Sequence, residues 1–343
     1  MDERVERVLY EVAARVVAPV LAPIYSGVAS ILTFHRVVGS SRGPRPGWLR
    51  GLEVEVALIE ELVARLRRTG HEFVSIDELR AVLTERRTRA HKLVVMTFDD
   101  GYADAHHTVL PLLAAERIPF TLYLTTDFPD RRIVPWWYLL DDLLARGSHL
   151  HLRLEGVEHA YSLETPAQRD VAFAEIGQIL DAGSEAERRA RAEQVFGVES
   201  VEEAMERLYL SWDQVAELAA HPLVTIGAHT VSHAPLKLLS REKARWEMLE
   251  SRQRIEARIG KSVRHFAYPY GFPSLVGARE YELARECGFS TAVTTRVANV
   301  FYDNAKTLEC LPRIRGQSVR HIELSMAGVV AALRYRGRRV ITV

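Results

Sequence analysis

The sequence predicts an α/β fold, a mostly parallel sheet or barrel, and three observations predict it. Short apolar runs rich in β-branched residues recur along the 343 residues. Segments with helical spacing separate them, as expected of parallel strands joined by crossover helices. The polar residues best suited to chemistry stand directly after those runs, at the strand ends where parallel α/β folds carry their sites.

The N-terminus comes first. Val16 to Phe34 carries no charge and is long enough to raise the question of a membrane span, but Pro19, Pro23, Ser26, Gly27 and Ser30 interrupt it. Met1 to Arg15 mixes Asp and Glu with Arg, unlike a basic signal-peptide start. The preferred reading is an amphipathic helical segment over residues 1–30 feeding a strand, Ile31 to His35, with a signal anchor as the alternative. Further strands are expected at Glu72 to Ser75, Leu93 to Phe98, Phe120 to Leu124, Val224 to Gly227, His265 to Tyr268, Thr291 to Thr294 and Cys310 to Ile314. Between them, Val56, Ile59, Leu62, Val63 and Leu66 fall at helical spacing, with Gly70 as a stop. Asp77 is a candidate cap for Glu78 to Leu83, and Ser211 for Trp212 to Ala220. Ser240 opens a long charged helix to Ile259, which Gly260 ends.

Residues 129–210 break this alternation. Trp136-Trp137-Tyr138 is followed by a charged stretch of Glu, Arg and Ala, which reads as a largely helical insertion over one edge of the barrel. The aromatic trio is either a sugar-stacking surface or an anchor packing the insertion onto the domain. The barrel itself is expected over residues 31–320, with a C-terminal helix and basic tail over 321–343.

Lys plus Arg and Asp plus Glu both total 45, so nothing pulls the chain toward nucleic acid. The basic cluster Arg334 to Arg339 leaves peripheral membrane contact, through this tail or the N-terminus, as an expectation. The expected location is cytoplasmic or membrane-associated. The two cysteines, Cys287 and Cys310, form no CxxC pair, which speaks against a disulfide framework or a cysteine zinc site.

Three segments carry chemistry. Thr97-Phe98-Asp99-Asp100-Gly101 delivers two adjacent carboxylates to a strand end, so one can bind a metal while the other handles a proton. His229-Thr230-Val231-Ser232-His233 places two imidazoles four apart after another strand. One Asp and two His make a sound ligand set for zinc or a similar divalent ion, with positions left for water and substrate. Phe266-Ala267-Tyr268-Pro269-Tyr270-Gly271 ends a third strand in a rigid turn. A backbone N–H there can face a developing oxyanion, and Tyr268 and Tyr270 could line a sugar pocket. Each segment alone could be an ordinary turn; their combination at one rim is what points to an enzyme.

Together these segments resemble the NodB-homology polysaccharide deacetylases, carbohydrate esterase family 4, from about Ile31 to Ile314 with the insertion excepted. The resemblance implies an irregular (β/α) barrel of seven or eight strands and removal of acetyl groups from N-acetylated amino sugars of a polysaccharide or glycan precursor. It implies Asp100, His229 and His233 as ligands of a divalent metal, zinc or another transition metal. It further implies Asp99 as general base toward the metal-activated water, and the Tyr270 backbone N–H, after Pro269, as oxyanion donor. Two features depart from the pattern. The third segment has Ala267 where many members have an Arg that orients the base; Arg313, or failing it Arg315, could supply that charge. A late Leu-x-His segment that provides the acid in many members has no match, and His35, closing the first strand in Phe34-His35-Arg36-Val37, is the candidate to replace it or to touch substrate. Two other functions compete: an amidohydrolase acting on a small non-sugar amide, and a carbohydrate-binding relative without turnover.

Overall fold

The computed structural model describes residues 13–39, 49–89, 91–316 and 318–336. A seven-stranded, all-parallel sheet forms its centre. We number these strands β1 (Ala29–Phe34), β2 (Glu72–Phe73), β3 (Leu93–Asp100), β4 (Phe120–Leu124), β5 (Val224–Ala228), β6 (His265–Ala267) and β7 (Thr291–Val293). The order is β1-β3-β4-β5-β6-β7, with the short β2 pairing the start of β3.

The expected last strand, Cys310 to Ile314, is instead two parallel bridges, Leu311 to Val293 of β7 and Ile314 to Leu32 of β1. Pro312 between them has no N–H to give, so the ladder cannot run on through it. The bridges nonetheless curl the sheet into a barrel, since Ile314 N–H donates to Ile31 and Thr33 N–H to Ile314, while Leu311 exchanges bonds with Ala292 and Thr294.

Strand alternation sorts the side chains. Ile31, Leu93, Val95, Tyr123, Val293 and Leu311 fill the lumen, whereas Leu32, Phe34, Val94, Met96, Phe98, Phe120 and Phe266 pack outward against the helices. By the same parity Thr97, Asp99 and Arg313 point inward, above the apolar plug. Both cysteines are buried and free.

The helices form where periodicity places them, with one change of cap. Ser75, extended at ψ 161°, accepts the Glu78 N–H at 3.1 Å and opens helix Ile76–Glu85. Asp77 already lies inside that helix and uses its carboxylate on Arg264 and His265 at 2.8 and 3.1 Å. Ser211 and Ser240 cap Trp212–Ala220 and Arg241–Ile259 as expected, and Gly260 ends the latter at φ 66°.

The insertion contains helices Trp136–Leu144, Pro166–Leu180, Glu185–Phe196 and Val198–Leu208, plus an antiparallel hairpin, His149–Leu154 with Val157–Ser162, separate from the main sheet. Tyr138 is buried, and Trp136 and Trp137 pack between the insertion's two apolar clusters. Gly177 permits this, because a Cβ there would lie 3.0 Å from the Trp136 ring. The aromatic trio is therefore an anchor.

At the N-terminal end, the uncharged run divides into a helix, Ala18–Tyr25, and β1. Among the described residues no helix is long and apolar enough to cross a membrane. The C-terminal part is two helices, Val319–Met326 and Val329–Arg334, with Asn299 donating to the carbonyls of Tyr25, Ser325 and Met326. Residues 1–12 of the expected N-terminal segment and 337–343 of the basic tail lie outside the described residues.

Candidate metal centre and active site

The parallel register sets the site. Asp100 is level with Leu124 on β4, Leu124 with Ala228 on β5, and Ala228 with Phe266 on β6. The residues that follow, His229 and Ala267, therefore emerge on the rim that carries Asp99 and Asp100. Parity alone would turn Asp100 away from the lumen, but its backbone is left-handed at φ 78°. Thr230, His233 and Tyr270 are also left-handed, at φ 68°, 58° and 62°. Such backbone costs about 1–3 kcal/mol per residue and persists only where the surroundings over-determine it. Thr230, β-branched, is the most unfavourable of the four.

The consequence is convergence. His229 Nε2 and His233 Nε2 lie 3.5 and 3.4 Å from Asp100 Oδ1. Those spacings exceed ordinary hydrogen bonds, and Asp100 Oδ1 is buried without a hydrogen-bond partner. Two ligand atoms held about 2.0–2.1 Å from one tetrahedral zinc would stand about 3.4 Å apart, so the three residues fit a shared divalent ion. The tautomer fits too. His229 Nδ1 is 2.7 Å from the Ala267 carbonyl, an acceptor only, so Nδ1 carries the proton and Nε2 is free to ligate.

Electrostatics agree with this geometry. Burial would raise the Asp100 carboxyl, but His229, His233 and His35 outweigh it and hold it well below the usual carboxylate range. Burial pushes His233 down to about 4 against the pull of Asp100, which leaves its imidazole neutral near pH 7. His229 is shifted up: burial lowers it, but Asp100 and Asp99 prevail. The field that favours a proton on His229 would equally favour a cation among these residues.

Asp99 has a different partner. Arg313, 1% exposed, donates from Nη1 and Nη2 to its two carboxylate oxygens at 2.7 and 2.6 Å. Arg313 is fixed in turn by the Thr294 carbonyl at 3.0 Å and Thr97 Oγ1 at 3.2 Å. Burial raises the Asp99 carboxyl, yet Arg313 more than offsets this and keeps it ionised. Arg315 is exposed and not part of this pair. His35 sits on the same rim, its Nδ1 buried without a hydrogen-bond partner. Burial lowers its pKa, against the pull of Asp100 and Asp99.

The model of the family described as polysaccharide deacetylase matches residues 86–292. The chain belongs to the polysaccharide deacetylase family. Among solved structures of similar fold is the deacetylase PplD of Streptococcus pyogenes in complex with acetate, with 18% identity, TM-score 0.56, and coverage of 87% of this chain and 97% of that one. IcaB of Ammonifex degensii gives 20% identity, TM-score 0.55, and coverage of 88% and 97%. At these identities the likeness concerns the fold. Among curated proteins, the poly-β-1,6-N-acetyl-D-glucosamine N-deacetylase of Escherichia coli (strain K12) is 36% identical over 70 residues, which is 20% of this chain. The match spans only 10% of that relative's length.

In this barrel the third segment differs from the sequence expectation at one tyrosine. Tyr268 is fully buried among Phe266 and Tyr281, and its hydroxyl donates to the Glu309 carbonyl at 2.8 Å. Parity directs it outward to the helices, so it lines no sugar pocket. Tyr270, two residues on and 45% exposed, faces the site with its ring 4.9 Å from that of His233. Pro269 is buried, and its carbonyl accepts the Gly271 N–H at 2.7 Å, closing the tight turn. Two site features escaped sequence reading. The Ala267 carbonyl that fixes His229 is a backbone group, which no residue type announces. Glu247, in the middle of a long charged helix, looks like one more surface carboxylate but is 1% exposed against the histidine loop.

Proposed function

We propose that the chain is a metal-dependent hydrolase that removes acetyl groups from N-acetylated amino sugars of a polysaccharide or glycan precursor. The observation that carries this reading is the pairing of two unlike carboxylates on one rim. Asp100 shares a cation-sized gap with two histidines, while its neighbour Asp99 is held ionised by Arg313. The family and the short match to a poly-N-acetylglucosamine deacetylase support the substrate class.

In this reading Asp100 Oδ1, His229 Nε2 and His233 Nε2 hold the ion, with zinc the leading choice for such donors. A divalent ion supplies Lewis acidity there, lowering the pKa of water and polarising the amide carbonyl. Asp99 accepts the proton as water oxygen attacks the acetyl carbon. The Tyr270 backbone N–H, presented by the turn, is assigned to the developing oxyanion, and the exposed Tyr270 ring to a sugar face. The carbon–nitrogen bond then breaks, acetate is released, and the sugar amine takes up a proton.

The test is acetate release from N-acetylglucosamine oligomers and polymers, with small non-sugar amides alongside. Activity on the glycans should disappear with a chelator and return with zinc. His229→Ala and His233→Ala should lose bound metal while staying folded. Unchanged metal content in both variants would remove the ligand assignment, and release from small amides alone would remove the glycan assignment.

His35 is assigned to the departing amine. Burial favours its neutral form, so in this role the imidazole gains a proton during turnover and, once protonated, gives it up readily to the amine. His35→Ala is expected to lower kcat for an N-acetyl sugar by about 10²-fold and to spare an activated acetate ester, whose leaving group needs no proton. Equal losses on both substrates would reassign His35 to positioning.

A further inference from the structure

The loop carrying both histidines is strained at Thr230 and His233, and the bonds that hold it fall into two sets. Its carbonyls are taken by the segment after β4. Thr125 Oγ1 donates to His229 at 3.0 Å, Thr126 N–H to Thr230 at 3.2 Å, and Asp127 N–H to Val231 at 2.9 Å. The His229 N–H stays in the ladder with Leu124 at 2.9 Å, but the donors of Val231 and Ser232 are taken by a single side chain, Glu247 of helix Arg241–Ile259. Glu247 Oε2 accepts the N–H groups of Val231 and Ser232 at 2.9 and 3.0 Å, and Oε1 accepts Ser232 Oγ at 2.9 Å.

We propose that Glu247 is a positioning residue of the metal site, setting His233 against His229 and Asp100 by gripping the loop between them. A carboxylate that is 1% exposed is costly unless its oxygens are well satisfied. The nearest cation, Lys243 Nζ, is 3.7 Å away and half exposed, so it offsets little of that cost. What the burial achieves is geometric, because one carboxylate offers two acceptor oxygens to three donors, whereas a glutamine offers one. The same helix grips the other side of the loop. Arg254, about two turns further on, donates to Asp127 Oδ1 at 3.1 Å, and the Asp127 N–H is one of the three that hold the loop carbonyls. The helix thus splints both edges of a backbone that would otherwise relax, and His233, directly after Ser232, is the ligand most exposed to that relaxation.

This inference rests on Asp100, His229 and His233 being the metal ligands, and the experiment separates the two. Zinc affinity is measured by competition with a chromophoric chelator on metal-free wild type, His233→Ala and Glu247→Gln, and Tm is read on the same metal-free samples. Wild type should bind one zinc that His233→Ala loses. Glu247→Gln should remain folded and bind zinc about 10–100-fold more weakly, the usual consequence of losing a group that orients a ligand. Zinc bound within twofold of wild type would overturn the proposal even if Tm fell, since a purely structural glutamate would lower Tm alone. Should Glu247→Gln fail to fold, Ser232→Ala, which removes one of the three bonds, decides. Severalfold weaker zinc at unchanged metal-free Tm supports the proposal, and unchanged affinity overturns it. A wild type that binds no zinc, or whose zinc survives His233→Ala, overturns the ligand reading itself and this inference with it.

Discussion

Asp99→Asn is expected to lower kcat about 10²–10⁴-fold while the protein keeps its metal. Asparagine has nearly the same shape, and Arg313 still finds an oxygen to donate to, so the side chain stays in place. What is lost is basicity, because an amide cannot accept the proton that water must give up. The ligand set, Asp100 with His229 and His233, does not include Asp99 and should retain its ion. The check pairs steady-state acetate release with metal analysis of the same sample. Near-normal kcat would remove Asp99 from the base role. Loss of the metal along with the rate would show that the two carboxylates are not separable in the way the Arg313 pairing suggests.

How much of this was legible in the sequence depends on the scale of the interaction. Strands announced themselves through β-branched runs because burial on both faces of a parallel sheet demands continuous apolar sequence; β3, Leu93–Asp100, is buried at all eight positions. The rim residues were legible because parallel strands end on one side, so whatever follows a strand is a candidate for the site. The inward direction of Arg313 was readable from alternation, but its pairing required the barrel to close, which depends on two bridges around Pro312. Tyr268 was misread because periodicity was not carried through the strand end. Counting on from Phe266, which packs against the helices, puts Tyr268 on that same outer face. The hairpin at His149–Leu154 was missed for another reason. It stands off the main sheet and its pattern is polar, with His149, His151 and Arg153 exposed, so it lacks the apolar run that marks a core strand. Glu247 could not be recovered from pattern at all, since its burial depends on a loop 15 residues earlier in the chain folding back onto its helix.

Arg313→Met is expected to destabilise the metal-free protein by about 3–5 kcal/mol at neutral pH, the range for removing one partner of a buried ion pair. Asp99 and Arg313 are 3% and 1% exposed, so the carboxylate left behind has neither water nor a counter-ion of comparable reach. The cost should depend on pH with a definite sign. In the wild type, burial raises the Asp99 carboxyl but Arg313 outweighs it, so the folded pKa lies below the unfolded value of about 3.9. That difference contributes stability above the unfolded pKa, and the contribution is lost as pH falls through the folded one. With Met at 313 the raising effect of burial prevails and the folded pKa moves above the unfolded one. The native variant then binds the proton more tightly than the unfolded chain does, so its stability declines as pH rises through that window. The gap between the two proteins should therefore be smallest near pH 4 and widest at pH 7. Denaturant unfolding in the presence of a chelator measures it without the stabilisation that bound metal would add. Arg313→Lys should fall between the two, keeping the charge but losing the two-pronged geometry. A gap below about 1 kcal/mol at pH 7, or one that does not change with pH, would show that the pair is not the electrostatic unit its burial implies.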